Sequence, residues 1–175
     1  MSEDFKSYIA ALVSGAPLAR DEASAAFSLI FRGEVTPAQL GAFLMGLRLR
    51  GETIDEIIGA AEAMRAAMTP VEAPAGAIDI VGTGGDGAGT YNISTLAAII
   101  AAAAGAIVAK HGGKAATSLS GASDVLGELG VKVGIPPAAA AASLQDAGIC
   151  FMAATTHHPA MRHAAAVRSE LGVRT

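Results

Sequence analysis

The sequence has no tryptophan, and aromatic residues of all kinds reach only 4% of 175 positions. A core built on large rings is thereby excluded, and alanine-rich helices packed at short range must take its place. One cysteine excludes a disulfide framework and suits a reducing cytoplasm. Cys150 lies in the apolar stretch Gly148-Ile149-Cys150-Phe151-Met152, which makes it a buried structural thiol rather than a nucleophile. Basic residues do not outnumber acidic ones: 12 Lys and Arg against 16 Asp and Glu leave a net charge of −4. No nucleic-acid partner is expected from that balance, and any anion must be held by a local site. Long apolar runs are missing too. The richest, 96–109, is too short for a bilayer and is broken by Gly105, so no membrane partner is expected. Glu3, Asp4 and Lys6 stand where a secretion signal would need an apolar core.

What is present divides into two patterns. Up to residue 70 apolar residues recur at helical spacing: Phe5, Ile9, Leu12 and Val13, then Phe27, Ile30 and Phe31, then Leu40, Phe43, Leu44 and Leu47, then Ile54, Ile57, Ile58 and Met64. Thr36-Pro37 and Thr53 read as helix starts, Gly33 and Gly51 as stops. Four short amphipathic helices cannot hide all their apolar stripes from water among themselves, so part of that surface is expected against the rest of the chain or a second subunit. A proline-bearing linker at 71–76 follows. From 77 to 175 strands alternate with helices: a buried strand at 77–81, a helix at 94–104, a strand at 106–109 and a helix at 122–129. A weak strand at 131–133, a helix from Pro137 to Ala147, a strand at 149–152 and a helix from Pro159 to near Gly172 complete the series. That alternation predicts an α/β fold, a mostly parallel sheet with flanking helices behind a helical domain.

The segment Asp79-Ile80-Val81-Gly82-Thr83-Gly84-Gly85-Asp86-Gly87-Ala88-Gly89-Thr90-Tyr91-Asn92-Ile93-Ser94-Thr95 leaves a strand, passes five glycines and enters a helix. Glycines let main-chain N–H groups approach a ligand, and a helix start adds unpaired donors and partial positive charge; together they suit phosphate. The segment also satisfies G-x-G-x-x-G, but six residues separate the glycines from the helix. The second strand ends in Lys110-His111, where a dinucleotide site would place an acid. The run G-x-x-x-x-G-K-[ST] is absent. A second loop, Lys110-His111-Gly112-Gly113-Lys114-Ala115-Ala116-Thr117-Ser118, would leave the same edge of a parallel sheet, and Ser120-Gly121-Ala122 starts the next helix beside it. Two adjoining anion loops fit a sugar with separated phosphates.

Gly-Thr-Gly-Gly-Asp-Gly, Asn-x-Ser-Thr, Lys-His-Gly, Ser-Gly-x-x-Asp-x-Leu and His-His-Pro-Ala-Met-Arg, in that order, resemble the motifs of the anthranilate phosphoribosyltransferases. The resemblance runs from the N-terminal helices to Thr175. It implies transfer of phosphoribosyl from phosphoribosyl pyrophosphate (PRPP) to anthranilate in tryptophan biosynthesis, with Mg²⁺, in a cytoplasmic homodimer joined through the helical domain. Position by position, it assigns PRPP contacts to Gly82, Gly85, Asp86, Thr90, Asn92, Ile93, Ser94 and Thr95. It assigns the same to Lys110, His111, Gly112, Gly113, Lys114, Ala115, Ala116, Thr117, Ser118 and Ala122. Ser94 would be a Mg²⁺ ligand. Gly82, Gly113 and Arg168 would meet anthranilate, the guanidinium pairing with its carboxylate. An aryl amine is already nucleophilic, so orientation and stabilisation of the departing charge suffice, and no covalent nucleophile is expected.

Departures from the pattern are local. Gly113-Lys114 stand where the family has Asn-Arg, and Leu119 where it has lysine. Lysine keeps the charge of arginine without its planar fork. A continuous helix from Pro159 would also hold His158 and Arg168 roughly 15 Å apart, too far to grip one ring. The chain ends where the family continues into an acidic Asp-Glu pair, so a fragment or cleaved chain, inactive alone, is expected. A pyrimidine nucleoside phosphorylase-like enzyme using orthophosphate, and a non-catalytic paralogue binding a phosphosugar or nucleic acid, share parts of the same pattern.

Overall fold

The computed structural model describes residues 3–82, 91–114 and 120–172, and forms two compact units. The first comprises 1–68 with 158–175, the second 69–157. The last helix, expected with the α/β half, therefore groups with the helical bundle.

Four helices open the first unit: α1 (Glu3–Val13), α2 (Arg20–Phe31), α3 (Pro37–Arg50) and α4 (Ile54–Ala66). The expected starts are borne out by capping. Thr36 accepts from the Gln39 N–H with Pro37 at the first helical position, and Thr53 accepts from the Glu56 N–H. Removing the first cap by Thr36→Ala is expected to lower stability by about 1 kcal/mol, visible as an earlier urea midpoint. The core gathers Phe5, Leu12, Ile30, Leu40, Phe43 and Leu47 with Ala164 and Val167. Phe43 carries two aromatic contacts, with Phe5 at 5.2 Å and Phe27 at 5.6 Å between ring centres. With so few rings, small residues set the spacing elsewhere. The buried face of α4 is Glu56, Gly59 and Ala63. Ile54 and Ile57, expected on that face, are 77% and 57% exposed. Val13 is exposed as well.

The chain after His158 differs from one continuous helix. A 3-10 turn, Pro159–Met161, precedes α9 (Arg162–Leu171), which Gly172 ends in the left-handed conformation.

In the second unit, α5 (Ile93–Ala103), β1 (Val108–Gly112), α6 (Ala122–Glu128), α7 (Pro137–Ala147), β2 (Ile149–Ala153) and α8 (Ala154–His157) follow in order. β1 and β2 pair in parallel with Val108 opposite Ile149. Alternation then splits the faces: Cys150 and Met152 pack with Ala140 and Leu144 of α7, while Phe151 and Ala153 pack with Leu126 of α6. Cys150 is buried as expected. Thr69 and His157 tie the ends of this unit, through Thr69 N–H to His157 O (2.8 Å) and His157 Nδ1 to Thr69 O (3.1 Å).

Three strand expectations are corrected. Residues 77–81 form no strand but one parallel bridge, Ile78 to Val108, with Ile78 and Val81 exposed. β1 begins at 108 rather than 106, because the Ala106 N–H closes the end of α5 on the Ala101 carbonyl. Residues 131–133 are irregular. Val131 N–H bonds to Leu126 O and Gly130 N–H to Gly127 O, a helix-ending pair that consumes the amide a ladder would need. Gly130 and Gly134, both at positive φ, bracket the stretch.

Candidate functional site

The candidate site lies in the second unit, where the chain leaves the Ile78 bridge toward the glycine loop. Ile78 makes both main-chain bonds of its bridge to β1. Beyond it, the Asp79 carboxylate accepts from the His111 N–H at 3.1 Å, and the Lys110 ammonium donates to the Ile80 carbonyl at 2.8 Å. The main chain then reaches Gly82, where a Cβ would meet nothing within 4 Å. Thr83 to Thr90, including Gly85, Asp86 and Thr90, lie outside the described residues.

α5 begins on the far side of that segment. Asn92, its N-cap, does not cap the helix. Its side-chain amide donates instead to the Ser120 hydroxyl (3.1 Å) and carbonyl (3.4 Å), which brings the start of α5 to the turn that starts α6. Ile93 is exposed and Ser94 half-buried. Thr95 is 3% exposed, and its hydroxyl has no hydrogen-bond partner among the described residues.

Lys110, His111 and Gly112 sit on β1. Lys110 is 3% exposed, and its stem helps line an apolar cavity of about 380 Å³ with Thr95, Ala98, Leu126 and Phe151. Burial pushes the Lys110 ammonium below the usual lysine range, partly offset by the charge of Asp79. Burial likewise lowers His111; Asp79 opposes the shift, while His157 and Lys110 add to it. Burial raises the Cys150 thiol, and the charge of Asp79 adds to the effect. Gly112 packs tightly, since a Cβ there would stand 3.0 Å from the Phe151 ring and 3.1 Å from Ala122 Cβ. Gly113 accepts from the Ser123 N–H (3.1 Å), and Lys114 is exposed. Ala115, Ala116, Thr117, Ser118 and Leu119 lie outside the described residues. Ala122 opens α6 and packs beside Phe151.

Arg168 is exposed in the last turn of α9, in the first unit. His158 precedes the 3-10 turn with φ −121°, so the two are not carried by one regular helix. Asp79 is a site residue that the sequence motifs do not assign. An acid beside a single bridge residue gives no local sign that it will bond across to a main-chain amide 32 residues on.

Residues 6–68 match the helical bundle domain, and residues 74–175 the a/b domain, of the glycosyl transferase family. The anthranilate phosphoribosyltransferase of Methylorubrum extorquens is 64% identical over 98% of this chain and 51% of its own length. That of Beijerinckia indica is 63% identical over 99% and 51%. Among solved structures, the Thermus thermophilus anthranilate phosphoribosyltransferase superposes with a TM-score of 0.89 at 45% identity, covering 96% of this chain and 51% of that one. The Saccharomyces cerevisiae enzyme, in complex with PRPP and Mg, gives 0.90 at 32% identity, covering 99% and 53%. The chain spans about half the length of the curated relatives it matches. It belongs to the glycosyl transferase family, and its relatives there are anthranilate phosphoribosyltransferases.

Proposed function

We propose that this chain supplies the PRPP-binding part of an anthranilate phosphoribosyltransferase, which moves phosphoribosyl from PRPP to the amine of anthranilate. The observation that carries the reading is the Asn92–Ser120 bond. It joins the starts of α5 and α6, one approached from the glycine loop and the other from the Lys110–Ser118 loop, so donors of two loops serve one polyanion. The Thr95 hydroxyl, in the first turn of α5, is buried and without a partner among the described residues. Identity to relatives of that activity extends along the whole chain.

Mg²⁺ fits the donors present. It takes few protein oxygens and keeps water and phosphate oxygens, and Ser94, half-buried in the first turn of α5, offers a hydroxyl. Bound there, the ion would neutralise charge on the departing diphosphate. The chain's own part is to hold the diphosphate with main-chain amides and exclude water from the sugar carbon. By the family resemblance Arg168 is assigned the anthranilate carboxylate, and Gly82 and Gly113 anthranilate contacts. A homodimer through the helical unit is part of the reading, supported by exposed Val13, Leu49, Ile54 and Ile57. Cytoplasmic residence follows from the biosynthetic role.

Titration calorimetry of the chain with PRPP in Mg²⁺ tests this. Saturable binding is expected, weakened about tenfold by Ser94→Ala, with the deficit confined to Mg²⁺-containing buffer. Heat from orthophosphate but none from PRPP would move the assignment to phosphorolysis.

A further inference from the structure

We propose that Asp79 is a positioning residue and that, with Lys110, it clasps residues 79–82 to β1 and fixes the point from which the glycine loop departs. The inference rests on the PRPP reading above and adds a residue to its machinery. The bridge at Ile78 uses Ile78 N–H to Ile107 O and Ala109 N–H to Ile78 O, both 2.9 Å. Continued, a parallel ladder would next run from the Ile80 N–H to the Ala109 carbonyl and then from the His111 N–H to the Ile80 carbonyl, and the second of these rungs is the one that changes. Both groups are bonded, but to side chains: the His111 N–H to the Asp79 carboxylate, and the Ile80 carbonyl to the Lys110 ammonium. Two side chains have replaced one main-chain rung.

The substitution changes where the backbone goes. With side chains in that rung, residues 79–82 do not continue as a strand beside β1, and Val81 is 56% exposed. The arrangement carries a cost that a plain strand would not. Lys110 is buried, and a buried ammonium needs its partner, whereas an apolar side chain would fill the same space without one. Asp79 places negative charge at the threshold of a loop proposed to hold a polyanion, where Coulomb's law alone disfavours it. Both are accounted for if the clasp sets the exit of the loop.

That charge gives the test its sign. Asp79→Ala removes a negative charge beside the site, so a purely electrostatic role predicts tighter PRPP binding. The clasp predicts weaker binding, by about tenfold, because a charge-assisted bond to the His111 amide is lost. Asp79→Asn keeps an acceptor for that amide and is expected to stay within about twofold of the parent. Binding by Asp79→Ala that equals or exceeds the parent overturns the proposal. Amide exchange supplies the second measurement and needs no ligand. In the parent chain the His111 amide is expected to exchange slowly, and in Asp79→Ala or Asp79→Asn it can be compared with Val108, which bonds to Gly148. Fast exchange at His111 in the parent refutes the clasp even if Asp79→Ala does not fold. Should the parent take up no PRPP, the functional reading fails, and exchange at His111 alone decides whether the clasp exists.

Discussion

Gly59→Ala is expected to cost the helical unit about 3 kcal/mol, enough to bring a marginal domain close to unfolding at ambient temperature. A Cβ at Gly59 would lie 2.8 Å from the Ser24 nitrogen and 2.9 Å from the Ala23 Cβ, and closer still to the Arg20 carbonyl oxygen. Two of those three atoms belong to the backbone of α2, so no rotamer change relieves the clash. In an exposed helix the same substitution would help by roughly 0.5–1 kcal/mol through propensity. Here crowding opposes that gain and exceeds it. Thermal unfolding followed by circular dichroism measures the result. A melting temperature equal to or above the parent's would mean that α2 and α4 separate freely, and the account of their packing would be wrong.

The second large effect belongs to Glu56. Its side chain is 2% exposed, yet it accepts from the Leu18 N–H (2.9 Å), the Thr53 N–H (2.8 Å), the Thr53 hydroxyl (3.0 Å) and the Arg50 guanidinium. Glu56→Ala leaves Arg50 facing a void and three donors without their acceptor, and is expected to cost about 3–5 kcal/mol. Glu56→Gln restores the volume but not the charge and should fall between. Burial by itself pushes this carboxyl up. The Arg50 guanidinium and the N–H and O–H donors of Leu18 and Thr53 together outweigh it, so the group sits below the ordinary range. A carboxyl lowered on folding contributes stability that is fully present above its unfolded value, about 4.3, and is lost as pH falls through the lowered one. Unfolding midpoints of the parent should hold steady from pH 7 to about 5 and drop below that. The Gln variant should show a shallower drop.

Glu56 also marks where sequence reading ran out. Capped helix starts were legible because caps are local, as at Thr36-Pro37, Thr53 and Pro137, whereas α8 and the 3-10 turn at Pro159 were not. The buried face of α4 was not. Periodicity selects bulky apolar residues, and here the contact with α2 is so short that Gly59 and Ala63 fill it, leaving Ile54 and Ile57 outside. Nothing near Glu56 in the chain announces the amide of Leu18, 38 residues earlier. In the second unit the helix-to-strand alternation was legible, whereas the 77–81 strand was not, since its ladder yields to Asp79 and Lys110. The glycine segment carried its chemistry openly in composition; the Asn92–Ser120 bond between its helix and the next is tertiary.

The helical bundle is discontinuous in sequence, and this bears on its biosynthesis. Ala164 and Val167 of α9 are buried in the same core as Phe5 and Leu40, yet the whole second unit is translated between them. At roughly 5–20 residues per second, a nascent chain carries α1 to α4 clear of the ribosome seconds before α9 exists. During that interval the core of the first four helices lacks the cover that Ala164 and Val167 give it.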